Sequence, residues 1–120
     1  MTKNERIREA LGYEMHRLDE EGGWWWKHPV TGEVDYEDAL PDYEHDDAAA
    51  VALLEELRRR GHWVRVNAIR DAASERIGAF RYELEYVEGP LEGSFGRDDI
   101  GGGDTFREAV VEGALALLEA

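Results

Sequence analysis

The sequence predicts an α+β domain of helices and antiparallel strands, and two kinds of periodicity support this prediction. Residues 62–70 and 79–87 alternate from one residue to the next, as half-buried antiparallel strands do. Residues 47–60 and 105–119 instead repeat apolar side chains every three to four positions, which is typical of amphipathic helices. The 120 residues are the size of one domain, so we expect a single layered unit over residues 1–120.

The N-terminal segment predicts a first helix. Apolar side chains recur at helical spacing over residues 4–18, and Asn4 is the expected N-cap. Gly12 lies inside this pattern and is a place at which the helix can break.

Residues 22–46 are expected to form a Trp-rich and acidic loop. They include the consecutive tryptophans Trp24, Trp25 and Trp26, and Thr31-Gly32 favours a tight turn of a small hairpin. Eight acids and no Lys or Arg lie between Glu33 and Asp47. Neighbouring tryptophans cannot all face one way, so the sequence leaves two alternatives for them, a second small core or a contact surface.

The second half of the chain carries the clearest elements. Asp46 or Asp47 is expected to cap helix 47–60, and Gly61 to follow its last turn. Strand 79–87 should face the helices through Phe80, Tyr82, Leu84 and Tyr86. Residues 88–104 are expected to be a glycine-rich loop with a short strand near 94–97.

The last helix, residues 105–119, is expected to begin with a capping box of Thr105 and Glu108. Gly113 lies on its buried stripe and predicts a close approach to another element. The glycines Gly101, Gly102 and Gly103 precede this helix and leave open an anion-binding loop or a flexible connector. Flanking aspartates favour the connector, because they would repel a phosphate.

Composition excludes several classes of function. The net charge of −14 argues against direct nucleic-acid binding, which needs an excess of Lys and Arg. Cysteine is absent, the four histidines are scattered, and Asp42, Glu44 and Asp46 lack the glycine and glutamate of an EF-hand loop, so no metal or cofactor is expected. No hydroxyl lies in a nucleophile motif, no apolar run is long enough to span a membrane, and MTKNERIREALG does not read as a signal peptide.

Two short patterns resemble the phage ABA sandwich domain family. The first is Pro41, Tyr43, Asp46 and Ala48 before and within the middle helix, and the second is Thr105, Glu108 and Ala109 at the start of the last helix. The resemblance covers residues 3–120. It implies a small antiparallel sheet of three to four strands with helices packed on both faces (α/β/α sandwich-like) and a phage protein in the cytoplasm of an infected bacterial host. It implies no activity and no catalytic residues.

We therefore expect a non-enzymatic phage accessory protein that binds a host macromolecule, as an anti-CRISPR-like counter-defence inhibitor would. Its acidic surface would bind a host protein with a basic surface. The expected partner-binding residues are Trp24, Trp25, Trp26, Asp42, Glu44, Asp46 and Asp47. The alternatives are a small-ligand binder that sequesters a nucleotide signal through Arg65, Arg81, Arg97 and Arg107, and a virion or assembly protein. A homodimer remains open.

Overall fold

The α+β class is confirmed by the elements of the computed structural model, which describes residues 2–17, 24–29, 31–36, 41–70, 80–91 and 99–120. These residues form three helices and two antiparallel sheets of three strands each, rather than one sheet of three to four strands. The elements in chain order are α1 (Lys3–Leu11), β1 (Glu14–Arg17), β2 (Trp24–Lys27), β3 (Val34–Tyr36), α2 (Asp47–Arg59), β4 (Trp63–Arg70), β5 (Phe80–Glu88), β6 (Asp99–Gly103) and α3 (Phe106–Leu118).

The main sheet has the order β4-β5-β6. Val64 lies opposite Tyr86 and Val66 opposite Leu84, so these side chains share one face of the sheet. Leu84 is completely buried there in one apolar cluster with residues of all three helices, which confirms the predicted register. The other face carries polar side chains such as that of Arg65. The described helices thus cover one face of the main sheet, whereas the resemblance implied both.

The close approach predicted at Gly113 is present. A Cβ at Gly113 would lie only 2.7 Å from a methyl carbon of Leu84, and a Cβ at Gly101 would lie 2.7 Å from the Ala109 carbonyl oxygen. Real Cβ atoms do not approach other atoms this closely. The glycines therefore allow α3 to lie directly against β5 and β6.

The first helix differs from the prediction at both ends. It stops at Leu11 because Gly12 adopts a left-handed conformation with φ of 94°, and residues 14–17 form β1 instead of continuing the helix to residue 18. The N-cap is Thr2, whose hydroxyl accepts from the Glu5 amide while the Glu5 carboxylate accepts from the Thr2 amide. Asn4, the expected cap, lies inside the helix and is buried.

The expected loop 22–46 contains two strands. The three tryptophans lie in β2, the central strand of the small sheet β1-β2-β3. The hairpin predicted at Thr31-Gly32 is confirmed, since His28 donates its amide to the Glu33 carbonyl at 2.8 Å and β2 pairs with β3. Two of the three strands of this sheet are therefore built from a segment whose composition suggested a loop.

The glycine-rich segment 88–104 is also not all loop. Its residues Asp99–Gly103 form β6, which pairs antiparallel with β5. The strand expected near 94–97 lies outside the described residues. Gly101, Gly102 and Gly103 are consequently neither an anion-binding loop nor a flexible connector, because they belong to a sheet.

The predicted helix ends of α2 and α3 are largely confirmed. Asp46 caps α2 through its carboxylate, and Gly61 follows the helix with φ of 92°. Thr105 caps α3 by accepting from the Glu108 amide at 3.2 Å. The Glu108 carboxylate accepts from the Asp104 amide at 2.8 Å, one residue before the position that a capping box would use.

Candidate binding cleft

The acidic segment before α2 is held in place by Asn4. The Asn4 side-chain amide donates to Asp42 at 2.7 Å, and its oxygen accepts from the backbone amides of Tyr43 at 2.8 Å and Glu44 at 3.2 Å. Asn4 is a buried polar residue of α1, and buried polar groups need hydrogen-bond partners. Its side-chain oxygen has two, the Tyr43 and Glu44 amides. Sequence reasoning missed this role; the Thr2–Glu5 capping-box pattern would have moved the helix start and placed Asn4 inside.

Three of the four carboxylates expected at the partner surface have partners within the protein. Asp42 accepts from Asn4 and lies 3.0 Å from a ring nitrogen of His45, and the Asn4 hydrogen bond is the largest cause that lowers the pKa of Asp42. Asp46 accepts from the Ala48 amide at 3.0 Å. Asp47 pairs with Arg107 of α3 at 3.0 Å. The expectation of acids without a countercharge is thus wrong at Asp47, because its cation comes from a distant part of the chain.

Glu44 lines a cleft of about 650 Å³, here called the β6 cleft. One wall comes from the N-terminus of α1 and the acidic segment, the floor from α3, and the opposite wall from β6. The lining residues are Lys3, Glu44, His45, Ile100, Gly101, Gly102, Thr105, Arg107, Glu108, Val111 and Glu112.

Carboxylates outnumber cations in and beside the β6 cleft. Lys3 pairs with Glu112, and this hydrogen bond is the largest cause that raises the pKa of Lys3, with a smaller contribution from Glu44. Arg107 is paired with Asp47. Glu44 and Glu108 therefore add negative charge after both cations of the cleft have been matched. The cleft is polar and acidic, above an apolar floor at Val111, which is 2% exposed.

The cleft continues along α3 towards its C-terminus. A second depression of about 370 Å³ shares Ile100 and Glu112 with the β6 cleft. It also contains Leu115 and Ala116 of α3 and the ion pair between Arg6 and Glu119. Together the two depressions follow α3 as a groove between α1 and β6.

The tryptophans lie elsewhere. Trp26 is buried and its ring lies 5.0 Å from that of Tyr13, while Trp25 is half-buried and stacks on His16 at 4.2 Å. The side chain of Trp24 lies outside the described part of the structure. No described tryptophan is among the residues that line the β6 cleft. Trp26 thus forms a second small core, one of the two alternatives that the sequence left open, and the acidic residues form a separate surface.

The arginines of the alternative site are not brought together. Arg65 pairs with Glu85 at 2.6 Å and Arg81 lies 3.8 Å from Glu83, both on the polar face of the main sheet. Arg107 lies on α3, which packs on the opposite face. Arg97 lies outside the described residues.

Among the described residues, no group of three or more His, Asp or Glu side chains is arranged to hold a metal ion. The helices in the same ranges are too short or too polar to cross a membrane. Comparisons with protein-family models, curated proteins and solved structures give no match to this chain.

Proposed function

We propose that this chain is a non-enzymatic binding protein whose β6 cleft and surrounding carboxylates bind a basic surface on a macromolecular partner. The observation that carries the proposal is the convergence of carboxylates from two distant segments on one cleft. Glu44 comes from the segment before α2, and Glu108 and Glu112 come from α3. Asp47, the first residue of α2, lies beside the cleft, where it pairs with Arg107. A phage counter-defence protein that blocks a nucleic-acid-binding host protein is the setting in which such an acidic surface would act.

Electrostatics support this choice of partner. The chain has a net charge of −14, so its field attracts cationic surfaces and accelerates association at low salt. The part of the acidic segment next to α2 is also ordered before binding, since Asn4 binds Asp42, Tyr43 and Glu44 and Asp46 caps α2. A surface that is already ordered loses less conformational entropy on binding than a flexible acidic loop would lose.

Nucleotide sequestration has less support. A phosphate group is bound best by several arginines with free guanidinium groups directed at one point. The described arginines Arg65, Arg81 and Arg107 lie on different sides of the main sheet and are each near a carboxylate.

The test uses two variants of equal charge. The cleft variant combines Glu44→Gln, Asp47→Asn and Glu112→Gln. The control variant combines Glu14→Gln, Glu33→Gln and Glu88→Gln, three exposed carboxylates that do not line the cleft. Asp42 and Asp46 are left unchanged because they hold the acidic segment and cap α2.

Each protein is immobilised and used to capture partners from a bacterial host lysate, followed by mass spectrometry. We expect the wild type and the control variant to retain the same basic, nucleic-acid-binding protein, and the cleft variant to lose it. Capture should also fall as the salt concentration rises, because exposed charges are screened beyond about 8 Å at physiological ionic strength. Equal capture by all three proteins would show that the cleft is not the site.

A further inference from the structure

We propose that the partner contributes an extended basic segment that binds in the β6 cleft as an added strand on the free edge of β6. This inference rests on the proposed function and adds the conformation in which the partner is bound. The feature that points to it is the position of an edge strand inside the acidic cleft.

The edge of β6 is open in the described part of the chain. β6 pairs with β5 on one side, Gly101 opposite Leu84 and Gly103 opposite Tyr82, and no described strand pairs with its other side. Ile100, Gly101 and Gly102 line the β6 cleft. An edge strand presents unpaired backbone N–H and C=O groups, which an extended peptide can satisfy by extending the sheet.

One glycine of β6 is not required by the packing of α3. Side chains at Gly101 and Gly103 would collide with α3, which explains those two residues. A Cβ at Gly102 would point to the polar face, where the nearest atom is the mobile end of the Arg81 side chain at 3.0 Å. Glycine in a strand interior often marks a place where another backbone approaches closely, and Gly102 lines the cleft.

The surroundings of this edge determine which segment fits. Side chains of an added strand would point alternately to opposite faces of the sheet. On the α3 side they would meet apolar Val111 and the carboxylates of Glu108 and Glu112. A segment that alternates Lys or Arg with apolar residues places all of its cations on one face, so with that face on the α3 side it pairs with these carboxylates. A second copy of this chain fits poorly, because two molecules of charge −14 repel each other.

The experiment uses a defined probe, a fluorescein-labelled peptide of four Lys-Val repeats, with binding measured by fluorescence anisotropy. Two further peptides carry N-methyl groups on all valines or on all lysines. Because a strand directs its N–H groups alternately to opposite sides, only one of the methylated peptides should lose affinity, by about tenfold or more. A slip of one residue cannot rescue it, since that would exchange the two faces of the peptide.

Two controls accompany these peptides. Amide hydrogen exchange of residues 99–103 should slow when the unmethylated peptide binds. The cleft variant should weaken binding of the unmethylated peptide, and the control variant should not.

The outcomes separate this inference from the proposed function. If both methylated peptides bind as well as the parent peptide, and binding depends on salt and on the cleft carboxylates, the acidic site stands and strand addition is wrong. If none of the three peptides binds, strand addition is likewise wrong, and the lysate capture decides the proposed function independently. Slower exchange confined to other segments would also overturn the inference.

Discussion

The main sheet with its helices and the small sheet are stabilised in different ways. The largest fully buried side chains, Ile7, Leu53, Leu57, Leu84 and Val110, all belong to one cluster that joins the three helices to the main sheet. In the small sheet, by contrast, Met15 is 40% exposed and Val34 is 59% exposed. Among the described side chains of this sheet, Trp26 is the apolar one that is buried. Trp26 does not belong to the main cluster.

This difference shows that the described side chains of β1, β2 and β3 do not belong to the main apolar cluster. Three short strands need a packed face for stability. Here the rings of Trp26 and His28 contact Tyr13, which itself packs at the border of the main cluster. A cavity of about 270 Å³ lies between residues of the hairpin and α2. We therefore expect the main sheet and its helices to unfold cooperatively and the small sheet to open locally.

Leu84→Ala tests the cooperative unfolding of the main sheet and its helices, and it should have the largest effect on stability. The side chain is completely buried and contacts Gly113 of α3, so its loss leaves a cavity where the helix and sheet meet. We expect the free energy of unfolding to fall by about 2–5 kcal/mol, measured by urea denaturation. A loss below about 1 kcal/mol would show that the main sheet is not the stable part of the molecule.

Gly101→Ala tests the close contact between β6 and α3. The new methyl group would overlap backbone atoms of α3, which cannot move without displacing the helix. We expect a loss of about 1–3 kcal/mol in the free energy of unfolding. The matched control is Gly102→Ala, whose methyl group would lie 3.0 Å from the end of the flexible Arg81 side chain and at an ordinary contact distance of 3.5 Å from the Tyr82 carbonyl oxygen. This variant should keep a stability within about 0.5 kcal/mol of the wild type. If both variants lost the same free energy of unfolding, the close contact between Gly101 and α3 would be contradicted.

Asn4→Ala tests the attachment of the acidic segment to the main body. It leaves the Tyr43 amide, which is buried, without its acceptor, so we expect a loss of about 1–3 kcal/mol. The variant should also change the response to acid. Because the pKa of Asp42 is lowered in the folded state, its ionised form stabilises the fold above about pH 4 and this contribution is lost as the pH falls.

In Asn4→Ala the acid-dependent loss at Asp42 should become smaller, because the hydrogen bond that is the largest cause of the lowered pKa is gone. Denaturation curves of both proteins between pH 3 and pH 7 measure this. Identical acid dependence would mean that Asn4 does not bind Asp42 in solution.

Thr105→Ala tests the beginning of α3. The hydroxyl satisfies the Glu108 amide, and its loss should cost about 0.5–2 kcal/mol. Thr105→Ser keeps the hydroxyl and should retain the wild-type stability, as well as any binding activity. A binding defect in Thr105→Ala with unchanged stability would instead assign Thr105 a direct role in the β6 cleft, which it also lines.

The two regions also differ in how far the sequence predicted them. α2, α3 and the inner face of the main sheet have regular apolar spacing, so their type and register follow from the sequence. β2 was missed because three consecutive tryptophans have no alternating pattern, and β6 because glycine has low strand propensity. The candidate site was half predicted. Glu44 and Asp47 were named, but the contribution of α3 depends on tertiary packing that local patterns do not contain.

Trp26→Ala tests the small sheet and should have the smallest effect on global stability. If the small sheet opens before the main cluster unfolds, Trp26 is already exposed when the cooperative transition begins, and its truncation changes that transition by less than about 1 kcal/mol. Amide exchange of Glu14–Arg17 and Trp24–Lys27 should nevertheless accelerate, since the contact with Tyr13 is lost.

Far-UV circular dichroism, which follows mainly the helices, measures the global transition, and hydrogen exchange with mass spectrometry measures the local opening. A loss of about 3–5 kcal/mol in the free energy of global unfolding is what a Trp→Ala change costs in a cooperative core. Such a loss would show that the two sheets unfold together. The β6 cleft should keep its binding activity in this variant, because no described tryptophan lines it. If Trp26→Ala lost binding while its fold stayed intact, the tryptophans would instead be assigned to the partner-binding surface, as expected from the sequence.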